Sequence, residues 1–177
     1  LVDRENTKAA LQSLLKNFPD RKCKVHLLHG NLNDEEMAGL YISDKVGAYV
    51  SASHGEGFGL PIFEAAQNGL PIIAPEWSGY TDFTSFKPTA KSKKEKSYIV
   101  GVDYKLANIQ PEAVWNGVIE KDTKWCFTDL QDLKVKMRSV YSDVQKYKKS
   151  AKKLQTNIKK NFSEEKQNSL FIKSIKE

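Results

Sequence analysis

The chain has 177 residues, of which 40% are hydrophobic and 28% charged. That is ordinary for a soluble globular protein, long enough for one domain with a real core. No apolar run approaches the roughly 20 residues of a membrane-spanning helix, which excludes a helical membrane protein as the reading. The net charge is +6 and unevenly spread: residues 128–177 hold 13 basic and 6 acidic side chains, while residues 1–127 hold 15 basic and 16 acidic. Lys87 to Lys96 adds a local cluster of five lysines and one glutamate. Two readings of this basic surface stay open: solvated helix faces, or a face that attracts phosphate, nucleic acid or an anionic membrane. Cys23 and Cys126 are far apart and not in metal-ligand spacing, as in a cytosolic protein with reduced thiols. The chain opens on Leu-Val-Asp-Arg-Glu without a secretory signal, as a cut inside a longer protein would.

Apolar residues Ala10, Leu11, Leu14, Leu15 and Phe18 fall at helical spacing, and Pro19-Asp20 stops them, so Asn6 to Phe18 reads as a helix. Lys24 to His29 is a short β-rich run ended by Gly30, and His26 and His29 read as structural residues on that strand. Asn33 followed by Glu36 is a capping-box pattern, opening a helix to Ile42 with Met37, Leu40 and Tyr41 inward. Val46 to Ala52 is a strand, Ser53 to Gly59 a glycine-rich loop, and Leu60 to Asn68 a helix with Pro61 in its first turn. Leu70 to Ala74 is a further strand, and Pro75 to Ser85 a loop whose Trp77 and Tyr80 either border a ligand or pack. Alternating strands and helices predict right-handed crossovers on a parallel sheet. Lys87 to Ser97 reads as a solvated loop, Ser97 to Val102 as one more strand, and residues 103–127 carry only a weak pattern. Thr128 and Gln131 stand in capping-box spacing before a helix to Val144, and Gln145 to Phe162 and Ser163 to Ile175 read as two more helices.

The chemistry concentrates in His54-Gly55-Glu56-Gly57-Phe58-Gly59-Leu60-Pro61. This loop follows a strand and opens a helix, which places it at the carboxyl edge of a parallel sheet, where ligands bind. Glycines let backbone approach a ligand closely, and a helix N-terminus suits a diphosphate. Glu56 in the loop and Glu64 in the second turn of the helix offer carboxylates, which accept hydrogen bonds from vicinal hydroxyls of a ribose or a sugar ring. A single glutamate here is as readily structural, Glu64 complementing the helix dipole.

The run from Glu56 through Gly-Phe-Gly-Leu-Pro-Ile-Phe to Glu64-Ala-Ala-Gln-Asn-Gly-Leu-Pro resembles the Glu-x7-Glu signature of family 4 GT-B glycosyltransferases. The resemblance extends through Ser78-Gly79-Tyr80-Thr81-Asp82, upstream over Gly30 to Tyr41, and downstream over Val102-Asp103-Tyr104 and Trp125 to Asp129. It implies an α/β fold: a Rossmann-like three-layer parallel sheet with helices on both faces, the C-terminal half of GT-B, here with extra C-terminal helices. It implies a single domain over residues 1–177 that binds a nucleotide-sugar donor, with an acceptor domain preceding Leu1. Glu64 would bind the donor ribose, and Glu56 would face the transferred sugar as the catalytic carboxylate. The backbone of Gly57, Phe58, Gly59 and Leu60 would hold the diphosphate and the sugar. His54, just before the glycines, has two open readings: a residue that touches the donor, or a loop histidine hydrogen-bonded to backbone. Transfer would retain anomeric configuration, with no metal and no cofactor. The sequence agrees in containing no Asp-x-Asp. The expected acceptor is a saccharide or a lipid-linked sugar, nucleic acid is not expected, and the expected place is the cytoplasm, with a peripheral membrane contact as the open alternative for the lysines. One departure stands out. The resemblance calls for a basic pair before the first helix, and Arg4-Glu5-Asn6 puts Glu5 where a lysine belongs. The alternative readings are a catalytically impaired nucleotide-sugar-binding module, which Glu5 favours, and a GT-B epimerase, which shares the fold.

Overall fold

The computed structural model describes residues 2–176. It divides into two compact units, residues 1–36 and 37–177.

The first unit is built on helix α1 (Val2–Lys16). The Arg21 guanidinium donates to the carbonyls of Leu15 and Phe18 at 3.3 Å each, tying the following turn to the helix end. The β-rich run Lys24 to His29 forms no strand, contrary to its composition, and all six residues are exposed. A strand exists only through a partner's ladder, and among the described residues this segment has none, so His26 and His29 are not strand residues. Helix α2 (Asp34–Ile42) begins at the junction of the units. Its capping box forms as read: the Glu36 amide donates to Asn33 Oδ1 and the Asn33 amide to Glu36 Oε2, both at 2.9 Å.

The second unit is organised by strand β2 (Ile72–Pro75), which is buried along its whole length. It lies between β1 (Tyr49–Val50) and β5 (Val100–Val102), parallel to both. Alternation along β2 divides the core. Ile72 and Ala74 face a cluster with Ile62, Ala65 and Ala66 of α3 (Leu60–Gln67) and with Leu154 and Ile158 of α6 (Val144–Asn161). Ile73 faces the other way, against Val102 and Val140 of α5 (Leu130–Ser142). Helices thus cover both faces of the parallel sheet, which is why β2 reads as an unbroken apolar run.

Three departures from the sequence reading concern the edges of this frame. The loop after β2 contains a short helix α4 (Thr81–Thr84) and a strand β3 (Ser85–Phe86), which pairs antiparallel with β4 (Lys96–Ser97). The weakly patterned stretch 103–127 holds a two-stranded antiparallel ribbon, β6 (Tyr104–Asn108) with β7 (Lys124–Thr128). Helix α5 is capped by Asp129, one residue later than expected: its Oδ1 accepts from the amides of Gln131 at 2.8 Å and Asp132 at 3.0 Å. Thr128 belongs to β7, and its hydroxyl is buried without a partner among the described residues. The C-terminal helices are α6 and α7 (Glu164–Lys176). Lys149, Lys152, Lys153, Lys159 and Lys160 are exposed, while Ala151, Leu154 and Ile158 of the same helix are buried. No helix among the described residues is long and apolar enough to cross a membrane.

The two amides that bond Asp129 stabilise its ionised form and hold its carboxyl below the usual range, the Asp132 amide most strongly. A group whose pKa falls on folding contributes stability above its unfolded value and loses it as pH drops through the folded one. Asp129→Ala should therefore lower the melting temperature at neutral pH. Acidification through and below the ordinary aspartate range should narrow the gap from wild type, as measured by thermal unfolding across pH.

Candidate functional site

The site forms where the loop after β1 meets the loop after β2, at the carboxyl ends of both strands. The first loop runs Ser51 to Gly59 and the second runs Glu76 to Tyr80. They are stitched together at Glu56. The Glu56 amide donates to Ser78 Oγ at 2.8 Å, the Ser78 hydroxyl donates back to the Glu56 carbonyl at 3.0 Å, and the Gly79 amide donates to the same carbonyl at 3.1 Å. A Cβ on Gly79 would overlap the Gly57 carbonyl, so this closure requires glycine. Ser78 adopts φ 71°, the left-handed region that a serine enters only at a cost.

The glycine loop is also held from below. Phe58 packs on Phe63 and Phe83 with ring centroids 5.3 and 5.1 Å away. Gly59 turns the chain into α3 at φ 81°, and a Cβ there would meet the Tyr80 side chain at 3.2 Å. With glycine at the N-cap, no side chain caps the helix, so the first turn of α3 is left for backbone, solvent or a ligand. Pro61 sits in that turn, where its missing N–H costs nothing.

Helix α3 carries Glu64 on an exposed position of its second turn. Tyr41, at the end of α2, donates its hydroxyl to Glu64 Oε2 at 3.2 Å. Burial, then the hydrogen bond to Glu64, push the Tyr41 phenol up to about 12, so it remains a donor far above neutral pH. Tyr49 of β1 is likewise pushed up, by burial and then by the charges of Glu56 and Glu64. Glu56 also raises Tyr80 weakly, behind burial and Cys126; Tyr80 reaches about 12.

Of the residues singled out in the sequence, Glu56, Glu64, Gly57, Phe58, Gly59 and Leu60 lie on this one loop and helix start. His54 is half-buried at the beginning of the loop, with Nδ1 2.7 Å from the Cys126 carbonyl. Tyr80 is core: it is 1% exposed and its hydroxyl donates to the Pro75 carbonyl. Trp77 is half-buried beside Tyr104, with ring centroids 6.2 Å apart. Arg4 and Glu5 are exposed on α1 in the first unit. Among the described residues, no group of three or more His, Cys, Asp or Glu is arranged to hold a metal ion.

Sequence reasoning missed the partners. Tyr41 reads as one more member of an apolar stripe and Tyr49 as a strand residue; nothing in their spacing points to a carboxylate. Ser78 stands in the recognised run, but its hydroxyl clamp depends on a fold that brings it 22 residues back to Glu56.

The chain is 46% identical over 59 residues to a serotype-specific mannosyltransferase WbdA of Escherichia coli, a stretch covering 33% of this chain and 7% of that protein. It is 44% identical over the same length to another WbdA of that organism. The matched stretch thus spans a small fraction of these relatives' length. No solved structure matches. A model of the family described as family 4 glycosyltransferase in conflict systems matches residues 3–169, most of the chain, and the protein therefore belongs to that glycosyltransferase family.

Proposed function

We propose that this chain is the donor-binding half of a retaining GT-B glycosyltransferase, taking its sugar from a nucleoside diphosphate sugar. The observation that carries the proposal is the pair of held glutamates flanking a helix start that no side chain caps: Glu56 clamped by Ser78 in the loop before it, and Glu64 bonded by Tyr41 in the turn after it. In this reading the diphosphate lies on the amides from Gly57 to Leu60 and on the positive end of α3. That pair of features carries the negative charge without a metal.

Glu64 takes the ribose. Tyr41 occupies Oε2, which orients the carboxylate and leaves Oε1 to accept from a ribose hydroxyl. Glu56 faces the transferred sugar. Its backbone is fixed by three hydrogen bonds from the second loop, so its side chain starts from a defined position. A preoriented carboxylate beside the anomeric carbon stabilises the positive charge that develops there as the diphosphate departs. The saccharide or lipid-linked acceptor would be presented by a second half outside this chain. Glu5, standing where the resemblance calls for a base, favours one second reading: a module that binds the donor but transfers slowly. Transfer assays on the whole protein separate the two.

Three outcomes follow. Glu64→Ala removes both carboxylate oxygens and should weaken nucleoside diphosphate binding by about 1.5–3 kcal/mol, the range for a hydrogen bond to a charged group. Unchanged affinity by calorimetry in a folded variant would remove Glu64 from the site. Ser78→Ala and Ser78→Gly both delete the clamp on Glu56 and should impair donor-sugar binding alike. Glycine relieves the left-handed backbone, so the Gly variant should be the more stable of the two by about 1 kcal/mol. Equal stability in chemical denaturation would show that φ at position 78 stores no strain. Finally, the isolated chain should bind the donor while transferring sugar to added acceptors slowly or not at all; efficient transfer in a product assay would show that it needs no second half.

A further inference from the structure

We infer that His54 is a specificity residue of the donor site: its Nε2 accepts a hydrogen bond from a hydroxyl of the transferred sugar, and the β6–β7 ribbon holds the ring for that purpose. The inference rests on the donor-site reading above and adds the group that reads the sugar.

The ribbon grips residue 54 three ways. The Cys126 amide donates to the His54 carbonyl at 3.1 Å. The Cys126 carbonyl lies 2.7 Å from His54 Nδ1. Trp125 stacks on the imidazole at 4.8 Å and 15°, and Phe127 packs against it at 4.9 Å and 58°. The same ribbon reaches the second loop, where the Tyr104 hydroxyl donates to the Glu76 carbonyl at 3.2 Å. It is a strap across both loops that form the site.

A carbonyl oxygen can only accept, so Nδ1 must carry the proton of this contact. In the neutral ring that leaves Nε2 with a lone pair, on the side of the ring away from Cys126. Among the described residues Nε2 has no hydrogen-bond partner. Solvent reaches Nε2, and an O–H or N–H group of a ligand can take the place of water there. A diphosphate cannot supply one, being an acceptor throughout. The ribose hydroxyls belong to Glu64 on α3. His54 stands two residues before Glu56 in the same loop, and this reading gives Glu56 to the transferred sugar, so a hydroxyl of that sugar is the group assigned to Nε2.

The test compares two ligand pairs, GDP with GDP-mannose and UDP with UDP-glucose, by calorimetry on the whole protein. In wild type the sugar-bearing ligand of one pair should bind. His54→Asn places an amide near the Nδ1 position and can keep the bond to Cys126, but has nothing at Nε2. It should bind the nucleoside diphosphate as wild type does and lose about tenfold in affinity for the sugar-bearing form, the effect of one hydrogen bond. His54→Gln, which reaches the Nε2 position, should recover part of that loss. Histidine ¹⁵N spectra of the wild type provide a readout independent of variant folding: the Nε2 resonance should shift when the nucleotide sugar is added and not with the nucleoside diphosphate alone. Undiminished sugar-nucleotide affinity in His54→Asn, an equal loss for both ligand forms, or an Nε2 resonance indifferent to the sugar would each overturn the inference. Failure of the wild type to bind any of the four ligands would instead overturn the donor-site reading on which it rests.

Discussion

The backbone of Glu56 is the point on which this site depends. Its amide and its carbonyl are both taken by the neighbouring loop, through the Ser78 hydroxyl and the Gly79 amide. The closure works because Gly79 lies against the Gly57 carbonyl, where a Cβ on residue 79 would collide, and because Ser78 accepts a left-handed backbone to aim its hydroxyl. Strain at such a position persists only when the surroundings over-determine it. Here they do: Tyr80, next but one in the chain, is buried and bonded to the Pro75 carbonyl at the end of β2. The position of a carboxylate at the surface is thus traced to a central strand.

The second carboxylate is positioned differently. Glu64 rides on α3, whose inner face of Ile62, Ala65 and Ala66 is fixed against β2 and α6. Small residues at two of these positions bring the helix close to the sheet. Tyr41 then selects one oxygen of Glu64 by hydrogen bond. Two tyrosines with raised pKa values, Tyr41 and Tyr49, are the physical counterpart of two acidic groups beside partly desolvated phenols: both effects disfavour a phenolate. The hydroxyls stay protonated and can serve as donors to the carboxylates rather than compete with them.

Family membership and geometry are separate lines of support. The family model covers nearly the whole chain, whereas the WbdA relatives match over a third of it. Neither says which side chain meets which part of a donor. The roles proposed for Glu56 and Glu64 come from the resemblance, and the contacts in this fold show how the two residues, the uncapped helix start and the β6–β7 ribbon are held.

What the sequence by itself determined is the local chemistry. The glycine loop, the helix opened by Pro61, the apolar run of β2 and the capping box of Asn33 and Glu36 are encoded within a few residues, and short-range rules suffice to read them. The two glutamates were legible for the same reason, lying eight residues apart on one loop and helix. Only the tertiary structure decided the rest. Lys24 to His29 has strand composition, yet a strand needs a ladder partner and none is present among the described residues. Thr128 and Gln131 have capping spacing, yet pairing with β6 draws Thr128 into β7 and passes the cap to Asp129. The ribbon itself was nearly illegible, because one of its two strands is mostly exposed and its stability comes from pairing across a connection of 15 residues, Ile109 to Thr123. Tyr41 reaching Glu64, Ser78 reaching Glu56 and Cys126 reaching His54 join residues 22 to 72 positions apart. Such pairings carry no periodic signature: the parallel sheet returns the Glu56 and Ser78 loops to one edge, while Tyr41 comes from the end of α2 and Cys126 from the antiparallel ribbon.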